Sequence, residues 1–126
     1  MNIQNITIKN AAAADVVYTA VRPQGGESTP ALWLVKTGSR SSQERLEALV
    51  RRSASNLGWK TTLKITLPVM DSVDPNKKLT NVVVDLTLTS PDVISDAVAN
   101  DVAIKFKNLV ANVDIQKMLA NQEPAV

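Results

Sequence analysis

Alternating lysine and threonine side chains are the residues of this sequence most suited to binding chemistry. The segment Trp59–Leu67 reads WKTTLKITL, and in a strand successive side chains point to opposite faces. One face is then apolar, and the other carries Lys60, Thr62 and Lys64. Ammonium groups displace counterions from phosphate, and hydroxyls can reach phosphate or base edges. Because alternating lysines are also typical of a solvated face or a guarded sheet edge, the residues alone leave both readings open.

Two flanking segments add polar groups to the same predicted face. Asn81–Thr89 (NVVVDLTLT) alternates again, with apolar residues inward and Asp85 and Thr87 outward. The adjacent Arg51 and Arg52 must point to opposite faces of a strand, so only one of them can join the basic face. We assign Arg51 to that face and expect Arg52 to pair locally or lie at the turn.

Catalysis and metal binding find little support in the residue types. Histidine and cysteine are both absent, which removes the usual soft metal ligands, the thiol nucleophile, the commonest base near neutral pH and any disulfide. Asp71, Asp74 and Asn76 lack the ordered spacing of a calcium loop and read as a turn. The acids of residues 92–101 suit a helix start, and the Gly-Gly pair at 25–26 lacks the rest of a phosphate loop. We predict no enzyme, no cofactor and no metal.

The elements that must position these residues form an α+β pattern in one domain, residues 1–126. The composition is 44% apolar and 21% charged, ordinary for a folded domain. Helix propensity competes in residues 43–52, but a strand is favoured there because the turn SASNLG and a well-patterned strand follow. A polar loop, Val69–Thr80, follows Pro68, which should end its strand. The predicted strands cover residues 3–9 and 15–22 (a hairpin), then 31–36, 43–52, 59–67 and 81–89 (the main sheet, 31–89).

Helices are predicted over residues 91–121. Either Ser90-Pro91-Asp92 or Ser95-Asp96 can cap the first helix, and Asn112-Val113-Asp114 permits a bend before a second. One helix cannot cover so broad a sheet, so uncovered apolar surface implies a homodimer. The predicted dimer interface is the apolar stripe of the first helix: Val98, Val102, Phe106 and Leu109.

Charge is distributed unevenly. The net charge is +2, but residues 1–64 carry nine Lys/Arg and four Asp/Glu, against five and eight in residues 65–126. The N-terminus lacks a basic segment followed by an apolar run, and no stretch approaches the ~18 apolar residues that span a bilayer. We therefore expect neither a signal peptide nor a membrane span, and a reducing cytoplasm suits the chain.

Several strings and their order resemble the coat proteins of single-stranded RNA bacteriophages, the levivirus family. The resemblance spans nearly the whole chain. It implies an N-terminal hairpin, a five-stranded antiparallel sheet and two C-terminal helices, interlocked as a homodimer that builds an icosahedral shell around the genome. The strings are ITIKN…DVVYTAV, the Trp33 strand followed by Ser39-Arg40-Ser41, RRSASNLGWKTTLKITLP, LTLTSP and KNLVANVDIQKML.

The same resemblance implies that the sheet binds single-stranded phage RNA, including a hairpin that makes the dimer a translational repressor and marks RNA for packaging. Thr62 and Lys64 match the family's base and phosphate contacts, Lys60 a further phosphate contact, and Arg51 the basic residue of the preceding strand. Asp85 stands where one branch of the family has Asn. That branch stacks a base on Tyr where this chain has Val83, so stacking either uses Trp59 or is absent.

Three functions compete at this point. The leading one is a capsid subunit that binds RNA in the virion and assembles in the bacterial cytoplasm. The second is a non-capsid nucleic-acid-binding dimer that uses the basic sheet face. A hydrolase using Asp or Ser is weakest, because no motif gathers the groups it needs.

Overall fold

The computed structural model describes residues 2–53, 58–91 and 94–124, and the chain divides into two compact units, Met1–Pro91 and Asp92–Val126. The first unit holds the strands and the second holds the helices. The strands are β1 (Ile6–Lys9), β2 (Asp15–Arg22), β3 (Ala31–Leu34), β4 (Arg45–Arg52), β5 (Gly58–Met70) and β6 (Lys78–Pro91), with a 3₁₀ turn at Arg40–Ser42; the helices are α1 (Asp96–Val110) and α2 (Val113–Asn121).

The sheet is an antiparallel meander in which each strand pairs with its neighbours in sequence, in the order β1-β2-β3-β4-β5-β6. The predicted α+β class, with strands first and two helices last, is confirmed. With the N-terminal hairpin the sheet has six strands, and β5 and β6 are the longest, with 13 and 14 residues.

The ambiguous segment 43–52 is strand β4, as predicted. Eight consecutive residues of β4, from Arg45 to Arg52, pair with β5 between Thr66 and Trp59. Helix propensity is worth only tenths of a kcal/mol per residue, so a complete ladder overrides it.

The core of the sheet unit lies on one face, near its N-terminal half. The buried residues Tyr18, Ala31, Trp33 and Leu46 pack together, and each is an inward position of its strand. Both buried polar tips have partners, as buried polar groups require. The Trp33 Nε1–H donates to the Gln4 carbonyl at 2.8 Å, and the Tyr18 hydroxyl donates to Glu44 Oε2 at 2.9 Å.

Pro68 does not end its strand, so the predicted boundary is wrong. Strand β5 continues to Met70, and Pro68 pairs with Asn81 of β6. The last β5 residue paired with β4 is Thr66, so Pro68 has a neighbouring strand on one side only. Its missing N–H can face the open side without loss of a ladder hydrogen bond. The loop therefore shrinks from Val69–Thr80 to residues 71–77.

A side chain completes the ladder where β3 stops short of β4. The first β3 residue, Ala31, pairs with Ala48, which leaves Val50 without a backbone partner on that side. The Gln24 amide takes its place: Oε1 accepts from the Val50 N–H at 2.9 Å and Nε2 donates to the Val50 carbonyl at 2.7 Å. The Pro- and Gly-rich loop after β2 is thus anchored to the sheet.

The helical unit begins later than the predicted residue 91. Ser90 and Pro91 lie in β6, and Pro91 pairs with Gly58. Of the two predicted caps Ser95 is correct, because its hydroxyl accepts from the Val98 N–H at 3.3 Å. Asn112 caps α2 in the same way. Within the described ranges, neither helix has the length and apolar character needed to cross a membrane.

Candidate nucleic-acid interface

Strand register places all six predicted RNA-binding residues on one face of the sheet. Residues directly opposite each other in an antiparallel pair share a face. The sheet pairs Arg51 with Lys60 across β4 and β5, and it pairs Thr62 with Thr87 and Lys64 with Asp85 across β5 and β6. We call this surface the polar face. It includes Arg51, Lys60, Thr62, Lys64, Asp85 and Thr87.

The polar face is organised in rows that cross β4, β5 and β6. Rows lie roughly 6.6 Å apart, two residues along a strand, so the first and third are about 13 Å apart. The charge of the rows changes along the strands: the first row is basic, the second neutral, the third of mixed charge and the fourth basic. The rows are Arg51–Lys60–Thr89, Leu49–Thr62–Thr87, Glu47–Lys64–Asp85 and Arg45–Thr66–Val83.

The charged groups of the third row are available to a ligand. Lys64 and Asp85 are both exposed and Glu47 is partly buried. Lys64 forms no ion pair with any residue of the described ranges, although Asp85 and Glu47 flank it in the register. Its ammonium can meet a phosphate, while the Asp85 carboxylate can accept hydrogen bonds from base amines.

Trp59 lies on the opposite face, so of the two alternatives left open by the sequence, stacking on Trp59 or no stacking, the register does not favour Trp59. It pairs with Arg52, whose guanidinium sits 4.6 Å from the centre of the indole ring. Arg52 is thus held locally, as expected, in a cation–π contact. The alternation that puts Lys60 on the polar face forces its neighbour Trp59 away from it.

Two charged residues of the polar face were not among the predicted RNA-binding residues. Arg45 and Glu47 share the parity of Arg51 in β4, and an Arg45 guanidinium nitrogen lies 3.3 Å from Glu47 Oε1. The signal was present in the sequence, since Arg45, Glu47, Leu49 and Arg51 alternate. It was hidden by the competing helical pattern of the same segment.

The acids of the 71–77 loop serve the backbone. Asp71 Oδ1 accepts from the Val73 N–H at 2.8 Å, and Asp74 Oδ1 accepts from the Asn76 N–H at 3.1 Å. Both are the short-range bonds of Asx turns. No group of three or more His, Cys, Asp or Glu able to hold a metal ion occurs among residues 2–53, 58–91 and 94–124.

Apolar surface remains open in both units. In α1, the predicted stripe of Val98, Val102, Phe106 and Leu109 is 39–51% exposed. In the sheet unit, the face opposite the polar face also leaves large side chains exposed where β5 and β6 pair. These are Leu63, Val82, Val84 and Leu88.

The comparisons with known proteins agree with the geometry. A model of the levivirus coat protein family matches residues 1–125. The chain is similar in structure to the virus-like particle of bacteriophage NT-214 (TM-score 0.85, 22% identity, all of both chains covered). It is similar to that of Beihai levi-like virus 21 (TM-score 0.87, 18% identity, 100% of this chain and 99% of the other).

A third similar structure is an unassembled virus coat protein dimer, described as a bacteriophage RNA-binding dimer. Its TM-score is 0.68 at 21% identity, covering 98% of this chain and 97% of the other. At these identities the likeness shows the fold. No curated protein sequence is significantly similar to the chain.

Proposed function

The chain belongs to the levivirus coat protein family, and from this premise we propose that it is a capsid subunit. In this proposal residues 1–126 act as one coat protein domain that dimerises and assembles into an icosahedral shell around single-stranded RNA. The family is structural, and the proposal assigns the chain no catalytic step. Its place is the virion, after assembly in the cytoplasm of the bacterial host.

Dimerisation is supported by the open apolar surfaces of both units. Large apolar side chains exposed together on a helix and on a sheet face mark surfaces that a partner covers. A second copy of the chain is the economical partner, because in a two-fold dimer the α1 stripe of each subunit can meet the β5–β6 face of the other. We propose that the two subunits interlock in this way.

RNA binding is the second part of the proposal, and one observation carries it: the register gathers the six predicted residues on one accessible face. Arg51, Lys60 and Lys64 supply charge for phosphates, whereas Thr62, Asp85 and Thr87 supply polar groups for bases. Through this face the dimer would bind an RNA hairpin as translational repressor and packaging signal.

The RNA assignment is tested with two substitutions on the polar face. Lys64→Ala should weaken binding of every RNA and lower the slope of log affinity against log salt by about one unit. Asp85→Asn should instead change preference among hairpins that differ in one loop base, by roughly 1 to 3 kcal/mol. Hairpin affinities over a salt series measure both effects.

Matched controls come from the helices. Lys117→Ala removes one lysine and Asp101→Asn neutralises one acid, each outside the sheet unit. If Lys64→Ala and Asp85→Asn behave like these controls, the polar face is not the RNA site.

The runner-up function, a non-capsid nucleic-acid-binding dimer, uses the same polar face. Electron microscopy of the protein expressed alone separates the two functions, since only a capsid subunit gives uniform closed particles. Dimers that bind RNA but never close into particles would favour the runner-up.

A further inference from the structure

A cavity of about 330 Å³ opens beside the polar face, and neither the motifs of the sequence nor the six predicted residues account for it. It is lined by Leu32 and Leu34 of β3, Arg45 of β4, and Arg40 and Gln43 of the connection between these strands. That volume falls at the small end of the range for small-ligand sites. The lining combines an apolar floor with two guanidinium groups and one amide.

The cavity is continuous with the polar face. Leu34 pairs with Arg45, which pairs with Thr66, and Leu32 pairs with Glu47, which pairs with Lys64. The two leucines therefore extend the third and fourth rows across β3. A strand of RNA lying over Lys64 can reach the cavity without leaving the sheet.

Arg40 is held at the mouth of the cavity by the 3₁₀ turn. The Ser42 N–H donates to the Ser39 carbonyl at 3.0 Å, and the Ser42 hydroxyl donates to the same oxygen at 2.8 Å. Neither the Arg40 side chain nor the Gln43 amide makes a hydrogen bond or ion pair within the part of the chain that the structure describes. Their donors and acceptors are free for a ligand.

Charge and burial favour a nucleotide as that ligand. Arg40 and Arg45 outweigh the single carboxylate of Glu47, which lies 3.3 Å from the Arg45 guanidinium and helps to orient it. Planar guanidinium groups bind phosphate oxygens in bidentate fashion. Leu32 is only 7% exposed and, with Leu34, offers an apolar floor for the flat face of a base.

We propose that this cavity is a nucleotide subsite that takes one unpaired nucleotide of the bound RNA. Its base packs on Leu32 and Leu34, its phosphate lies between Arg40 and Arg45, and the Gln43 amide contacts the base edge. The inference rests on the proposed RNA-binding function and extends its footprint beyond β4, β5 and β6.

The test uses the full-length protein and a fluorescein-labelled single-stranded RNA of mixed sequence, together with versions in which one nucleotide at a time is abasic. Arg40→Gln should lower the slope of log affinity against log salt by about 0.7. When the salt concentration is raised fourfold, the affinity of the variant should therefore fall by a factor about threefold smaller than that of the wild type. Lys117→Gln, in α2, is the matched control and should leave the slope unchanged.

The abasic series tests the apolar floor. In the wild type, one abasic position should weaken binding about fivefold, the effect of losing roughly 40 Å² of buried apolar surface. Leu34→Ala should reduce that difference, because Leu32 alone then forms the floor. Should Leu34→Ala not fold, Arg40→Gln still decides the matter, because Arg40 is exposed and its side chain forms no hydrogen bond or ion pair with the residues that the structure describes.

The outcomes separate the subsite from the RNA face. If Arg40→Gln matches the Lys117→Gln control while Lys64→Ala weakens binding, the subsite is refuted and the proposed function stands. If Arg40→Gln weakens binding while Lys64→Ala does not, the subsite stands and the polar-face assignment fails. If Arg40→Gln lowers only the yield of particles, the cavity receives an acidic protein segment, which also overturns the proposal.

Discussion

Replacing Phe106 by Ala should break the dimer, because its ring lies in the middle of the α1 stripe. Phe106 is 43% exposed in the single chain. For a ring residue of about 200 Å², burying that fraction removes roughly 85 Å² from water. At about 25 cal/mol per Å² this stabilises each subunit by about 2 kcal/mol, or about 4 kcal/mol for the two copies in a dimer.

The expected result is a dimer dissociation constant raised about a thousandfold, since every 1.4 kcal/mol is tenfold. Sedimentation or native mass spectrometry over a dilution series measures it, and particle yield should fall with it. Ile104→Ala is the matched control. Ile104 is 57% exposed, but it lies two residues after Val102. At about 100° per residue it is therefore on the side of the helix opposite the stripe.

Two results would refute the reasoning. Unchanged dimerisation of Phe106→Ala would mean that the α1 stripe is not the interface. If Ile104→Ala weakened the dimer as much as Phe106→Ala does, apolar residues on both sides of α1 would contribute, and the α1 stripe would not be the specific interface.

Three further predictions concern the sheet unit. Replacing residues 71–77 by a short glycine turn should leave soluble dimers but disturb shell closure, because among the described residues the loop's acids accept hydrogen bonds from their own turn; unfolded dimers in size-exclusion chromatography would contradict this. Burial, aided by the bond to Glu44, raises the pKa of Tyr18 to about 12 from its usual value of 10.0, so roughly 2 to 3 kcal/mol of stability present below pH 10 should be lost as pH rises through 12. Since the chain has one tyrosine, ultraviolet titration reads it directly, and a midpoint near 10 in the folded protein would refute the shift. Gly58→Ala should destabilise by several kcal/mol, because its Cβ would meet backbone atoms of Ser90 and Pro91, whereas an unchanged melting temperature would show that the strands can separate there.

The strands were predictable because their side chains alternate, and the register followed from that alternation. Once β5 is placed with Leu63 and Ile65 inward, Lys60 and Lys64 must point outward. The hairpin to β4 then brings Arg51 beside Lys60. Most residues of the candidate site could therefore be placed from sequence patterns within single strands and one hairpin.

The features that the sequence did not predict depend on which strands and turns lie beside a residue, and the alternation of side chains along one strand does not reveal that. Pro68 continues its strand because β4 has already ended beside it, and Ser90 joins β6 because Gly58 pairs with Pro91. Arg40 and Gln43 reach the cavity only through a 3₁₀ turn whose shape depends on contacts within residues 39–43. The helical stripe was visible in the sequence, and the second copy that we propose to cover it is not part of one chain.

The Gln24 amide has a consequence for aggregation at the edge of β4 that β3 does not cover. An unpaired stretch of strand offers its N–H and C=O groups to any passing chain and is a starting point for aggregation. A glutamine side chain satisfies one N–H and one C=O of Val50 together, so it closes that stretch as a strand would, without extending the edge. It can do so in one register, because successive residues of a strand direct their N–H and C=O groups to opposite edges, so those of Leu49 and Arg51 point towards β5. The loop therefore favours one register against β4 and occupies the Val50 backbone groups that another chain could otherwise pair with.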